Sequence, residues 1–102
     1  MEFVESDIFT ARITELLDDD AYGALQAELI RRPKAGVIIP GLGGLRKIRW
    51  GATNRGKRGG LRVIYYYWSA NRLEMIYAYD KADQGDLTPQ QKRMLQDIVR
   101  RD

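Results

Sequence analysis

An α+β fold is expected from three features of the sequence: one antiparallel sheet packed against an N-terminal helical hairpin and a C-terminal helix. Residues 7–32 place apolar side chains at helical spacing. Residues 45–79 fall into three alternating or β-branched and aromatic runs, and residues 88–99 open on a helix cap and continue as an apolar stripe. A chain of 102 residues has the size of one domain, 1–102, built on a single core. The simplest arrangement sets the helices on one face of the sheet and leaves the other face open.

Each element has a local reason. Phe3-Val4 is a short strand-like start, and Ser6-Asp7 caps a first helix whose apolar residues are Ile8, Phe9, Ile13, Leu16 and Leu17. Asp18-Asp19-Asp20 ends that helix and caps a second, in which Tyr22, Leu25 and Leu29 share a face until Pro33 stops it. Gly36, Pro40, Gly41, Gly43 and Gly44 mark a loop that matches neither phosphate-binding glycine pattern, so no nucleotide cofactor is expected. Leu45–Trp50 alternates, residues 51–60 form a glycine-rich basic turn, and Leu61–Trp68 is dense in β-branched and aromatic residues. Ser69-Ala70-Asn71-Arg72 turns the chain into a third strand, Leu73–Tyr79. Thr88-Pro89-Gln90-Gln91 is a capping box with proline at the first helical position, followed by Met94, Leu95, Ile98 and Val99.

Composition removes whole classes of chemistry. The chain contains neither cysteine nor histidine, which excludes disulfides, thiolate nucleophiles, imidazole triads and the usual zinc ligands. Catalysis, if any, runs on Lys, Arg, Tyr, Asp or Glu, and no metal is expected. No apolar run approaches a membrane span and the first residues lack a signal-like apolar segment, so a soluble cytoplasmic protein without membrane contact is expected.

The net charge of +3 conceals a segregation of charge. Residues 1–28 carry eight acids and one base, Arg12, whereas residues 29–73 carry eleven bases and no acid. An acid-free stretch of that length implies a polyanionic partner, most economically a nucleic-acid backbone. Strand alternation sets Lys47 and Arg49 on one face, with Arg46, Ile48 and Trp50 on the other, and groups Arg62 with Ile64, Tyr66 and Trp68. Continued into the third strand, the same rule groups Met75, Tyr77, Tyr79 and Lys81. A face lined by Lys, Arg and Tyr suits single-stranded RNA, and most of the aromatic residues between Trp50 and Tyr79 are expected in the core. The remaining cations, Arg46, Arg55, Lys57 and Arg58, are candidates for contact with the RNA backbone.

Such a site can cleave RNA without a cofactor. The 2′-hydroxyl is the nucleophile, arginine stabilises the extra negative charge on the phosphorus centre, and a lysine crowded by other cations can take a proton.

The motifs Gly43-Gly44-Leu45-Arg46-Lys47-Ile48-Arg49, Gly59-Gly60-Leu61-Arg62-Val63-Ile64-Tyr65, Tyr77-Ala78-Tyr79-Asp80-Lys81 and Asp86-Leu87 resemble the HigB-type branch of the RelE/ParE toxin superfamily, in order and spacing over nearly the whole chain. The resemblance implies a RelE-like toxin of a type II toxin–antitoxin system, an endoribonuclease that enters the ribosomal A site, cuts mRNA without a metal and so inhibits translation. It puts the catalytic residues on Lys47, Arg49, Arg62, Tyr79 and Lys81. Lys47 and Lys81 are the candidate bases, and Tyr79, Lys47 and Lys81 the candidate acids. The family's C-terminal tyrosine has no counterpart in residues 83–87, and an arginine that follows the late lysine in the family is Ala82 here. The implied partner is a helix-turn-helix antitoxin of the HigA type, with DNA reached only through that complex. The acidic segment 1–28 is a candidate surface for it. Two other functions fit the same sequence: a ParE-like toxin that poisons gyrase, and a non-catalytic module binding RNA or the ribosome.

Overall fold

The computed structural model describes residues 1–51 and 60–100. The chain runs β1 (Glu2–Glu5), α1 (Asp7–Leu16), α2 (Asp19–Arg31), β2 (Val37–Ile38), β3 (Leu45–Trp50), β4 (Leu61–Ser69), β5 (Arg72–Asp80) and α3 (Pro89–Arg100). The strands form one sheet in the order β1-β5-β4-β3-β2. The three long antiparallel strands β3, β4 and β5 are those expected from the sequence. β1 adds a parallel edge to β5, and the two-residue β2, which the sequence pattern did not indicate, pairs antiparallel with β3.

The helix boundaries follow their caps. Ser6 Oγ accepts from the Phe9 amide at 3.1 Å and donates to the Ile76 carbonyl at 2.7 Å, so one side chain ends β1, starts α1 and satisfies β5. Asp18 accepts from the Ala21 amide at 2.8 Å to start α2. The capping box of α3 closes both ways: Thr88 Oγ1 accepts from the Gln91 amide at 3.1 Å, and Gln91 Oε1 accepts from the Thr88 amide at 3.0 Å.

The sheet is covered on both faces, which corrects the expectation that the helices share one. Phe9, Ile13 and Leu16 of α1 and Leu25 and Leu29 of α2 bury one face together with Ile48, Leu61, Val63, Tyr65 and Met75. Leu95 of α3, flanked by Met94, Ile98 and Val99, buries the other with Leu42, Leu45, Ile64, Ile76 and Tyr77. The reason lies in β4 and β5, whose side chains are apolar on both faces at the centre of the sheet. α1 stands at the β5 edge where β1 has ended, so its Ile8 and Arg12 reach the second face while Phe9 and Ile13 serve the first.

A bulge makes a second correction. Ile64 pairs with Tyr77 but Tyr65 pairs with Met75, which leaves Ile76 as an extra residue in β5. Alternation is inverted there, so Met75 lies in the α1/α2 core while Tyr77 and Tyr79 lie in the α3 core. Met75 therefore does not share a face with Tyr77 and Tyr79.

Candidate active site

The register of the sheet brings the expected residues together. Arg49 pairs with Arg62 and Arg62 with Tyr79, forming a row across β3, β4 and β5 on the α3 side. One step back, Lys47, Ile64 and Tyr77 form the next row. α3 covers the middle of this face but not the end where Arg49 lies exposed. Arg62 is buried, at 7% exposure, and its Nη1 donates to the Leu61 carbonyl at 3.3 Å. The row therefore sets a buried guanidinium beside an exposed one, a pairing of charge suited to an anion.

Tyr79 is buried next to Tyr77, with ring centroids 6.1 Å apart. Burial, and after it the charge of Asp86, pushes its phenol above the ordinary tyrosine value, and Arg62 opposes the shift. Tyr79 is thus held protonated as a hydrogen-bond donor. Behind it, Tyr77 accepts hydrogen bonds from Arg12 at 2.7 Å and from Gln91 at 3.2 Å, and the Arg12 guanidinium lies 5.3 Å from its ring centre. Gln91 also pairs with Gln84, whose Nε2 donates to the Asp86 carbonyl at 3.0 Å. The 81–88 segment is therefore tied to α3 through Gln91.

Asp86, which the sequence reading quoted in the Asp86-Leu87 motif without giving it a role, lies beside these rows. Its Oδ1 is 4.0 Å from Lys47 Nζ and accepts from the Leu87 amide at 2.7 Å. The usable signal was its place, a carboxylate between the Tyr-x-Lys motif and the capping box, with the buried Leu87 to fix it. Lys81 lies one step beyond the row. Its amide donates to the Gly60 carbonyl at 2.7 Å and its side chain is exposed.

Arg46 is not brought to this face. Its Nη1 donates to the Gly36 carbonyl at 2.8 Å, tying the start of β2 to β3 on the α1/α2 side. Arg55, Lys57 and Arg58 lie outside the described residues. A hollow of about 370 Å³ between Pro33 and Tyr67, with Lys34 Nζ 4.8 Å from the Tyr67 ring centre, also avoids the Arg49–Arg62–Tyr79 row.

A family model described as the RelE toxin of the RelE/RelB toxin–antitoxin system matches residues 11–101. The chain belongs to the RelE toxin family. As a RelE-like toxin it is one half of a toxin–antitoxin pair, and its partner is an antitoxin. The three-helix, five-stranded α+β fold agrees with that membership. Among the described residues of this RelE-family chain, no helix is long and apolar enough to cross a membrane.

Proposed function

We propose that the protein is a ribosome-dependent mRNA endoribonuclease of the HigB type, acting in the cytoplasm and cleaving by metal-free transphosphorylation. The observation that carries this reading is the Arg49–Arg62–Tyr79 row, an exposed guanidinium, a buried one and a protonated phenol side by side across three strands. Two arginines side by side match the charge that develops on a phosphate attacked by its own 2′-hydroxyl, and a phenol can protonate the departing 5′-oxygen. Lys47 and Lys81 add positive charge at either end of the row. The acid-free stretch 29–73 supports an RNA substrate and contact with the ribosomal A site. The antitoxin is of the helix-turn-helix HigA type and meets the acidic N-terminal helices. Arg55, Lys57 and Arg58 contribute to binding of the RNA backbone, and Arg46 can do so only from the opposite face of the sheet.

The test is inducible expression in a bacterium, with mRNA ends mapped within minutes. Growth arrest with new ends at codon boundaries is expected for the unaltered protein, and neither is expected for Arg49→Ala. Arrest with intact mRNA and damaged DNA overturns the reading in favour of gyrase poisoning.

A further inference from the structure

The reaction needs a proton acceptor for the 2′-hydroxyl, and the lysines are imperfect ones. Lysine accepts a proton only when neutral, and Lys47 Nζ faces a carboxylate at 4.0 Å. We propose that this carboxylate, Asp86, is the general base, a catalytic role that rests on the endoribonuclease reading and deepens it.

Four observations meet at Asp86. First, it is close to two members of the site, by distance to Lys47 and by its electrostatic effect on Tyr79. Second, it is held: Leu87 is buried next to it, its Oδ1 takes the Leu87 amide, and Gln84, itself bonded to Gln91 of α3, donates to its carbonyl. Third, it is accessible, with its side chain 70% exposed, and among the described residues its second carboxylate oxygen makes no hydrogen bond. Fourth, it is offset from the Arg49–Arg62 pair, which takes the phosphate in the proposed reaction. Lys47 stands two residues from Arg49 along β3, about 7 Å at strand spacing. A phosphate on the Arg49–Arg62 pair therefore leaves its ribose to reach back toward Lys47 and Asp86. An ionised carboxylate accepts hydrogen bonds only, and the phosphate repels it, so the sugar hydroxyl is the group it meets.

The step balances without a co-reactant. Asp86 takes the proton of the 2′-hydroxyl and the 2′-oxygen bonds to phosphorus. The bond from phosphorus to the 5′-oxygen breaks, and the Tyr79 phenol gives its proton to that leaving oxygen. The products are a 2′,3′-cyclic phosphate and a 5′-hydroxyl. Water returns a proton to Tyr79 and removes one from Asp86.

The decisive variant is Asp86→Asn, which removes the base but keeps an oxygen to accept the Leu87 amide, so the fold and cap are preserved. Single-turnover cleavage of ribosome-bound mRNA is expected to fall by about 10²-fold or more, with ribosome binding unchanged. A substrate with sulfur in place of the 5′-bridging oxygen, which needs no protonation to leave, should rescue Tyr79→Phe but not Asp86→Asn. Added formate should restore part of the activity of Asp86→Ala. Cleavage by Asp86→Asn at the unaltered rate or faster overturns the assignment. So does a loss of ribosome binding large enough to account for the loss of rate. If the unaltered protein leaves mRNA intact and Arg49→Ala behaves the same way, the endoribonuclease reading has failed instead.

Discussion

The two faces of the sheet are made by the same strands but do different work. On the α1/α2 face Leu61, Val63 and Tyr65 of β4 are fully buried, and even the Tyr65 hydroxyl is spent on backbone, donating to the Pro33 carbonyl and accepting from the Gly36 amide, both at 2.9 Å. On the α3 face the alternate residues of the same strand run from Tyr66 and Ile64, which pack in the α3 core, to the buried Arg62, which stands outside that apolar cluster. On the first face Leu61, Val63 and Tyr65 serve the core alone, whereas on the second the residues of β4 divide between the core and the candidate site. Alternation in a strand thus lets stability and chemistry be set separately, residue by residue.

The largest effect should come from the α1/α2 face. Phe9→Ala is expected to lower stability by about 3–5 kcal/mol, read by urea unfolding. A loss below about 1 kcal/mol would mean that α1 does not anchor this core. The Arg49 end of the other face should respond in the opposite way. Arg49→Ala is expected to reduce cleavage by about 10²–10³-fold, roughly 2.7–4 kcal/mol of transition-state stabilisation, while stability stays within about 0.5 kcal/mol. A matching fall in stability would break the separation of the faces. Between the two lies the cap of α3, where Thr88→Ala should cost about 1 kcal/mol in thermal unfolding. It should also slow cleavage in part, because Asp86 sits two residues upstream.

The smallest effect is a pH dependence shared by both faces. Burial raises the phenols of Tyr65 and Tyr79 above their unfolded value of about 10. Tyr22 is raised in the same direction, by burial and by the Glu5 carboxylate that accepts its hydrogen bond at 2.6 Å. The folded state then holds more protons than the unfolded one above about pH 10, so stability is full below that pH and is lost as pH rises. Thermal melts across the alkaline range should show this slope, and Tyr79→Phe should make it shallower.

Local features were legible in the sequence. The caps at Ser6, Asp18 and Thr88 each need only residues within a turn of one another, and all three form. The faces of β3 and β4 follow alternation, so Lys47, Arg49 and Arg62 could be grouped in advance. What stayed hidden depends on distant partners or broken periods. The parallel pairing of β1 with β5 joins residues some seventy positions apart, and two residues of β2 are too few to carry a period. The extra Ile76 inverts alternation without any glycine or proline to announce it. Asp86 belongs to no strand or helix, and its nearness to Lys47 exists only once α3 has docked.

The brevity of β2 has a consequence for how copies of the chain meet. Its two residues cover β3 only at Arg46 and Lys47, so among the described residues no strand pairs with the outer edge of Ile48–Trp50. An uncovered edge is a template for strand addition from a neighbouring molecule, and a charge in its middle is a standard protection against this. The exposed Arg49 stands at that position. The cation proposed to face substrate thus also stands where a charge opposes strand addition from a second copy of the chain.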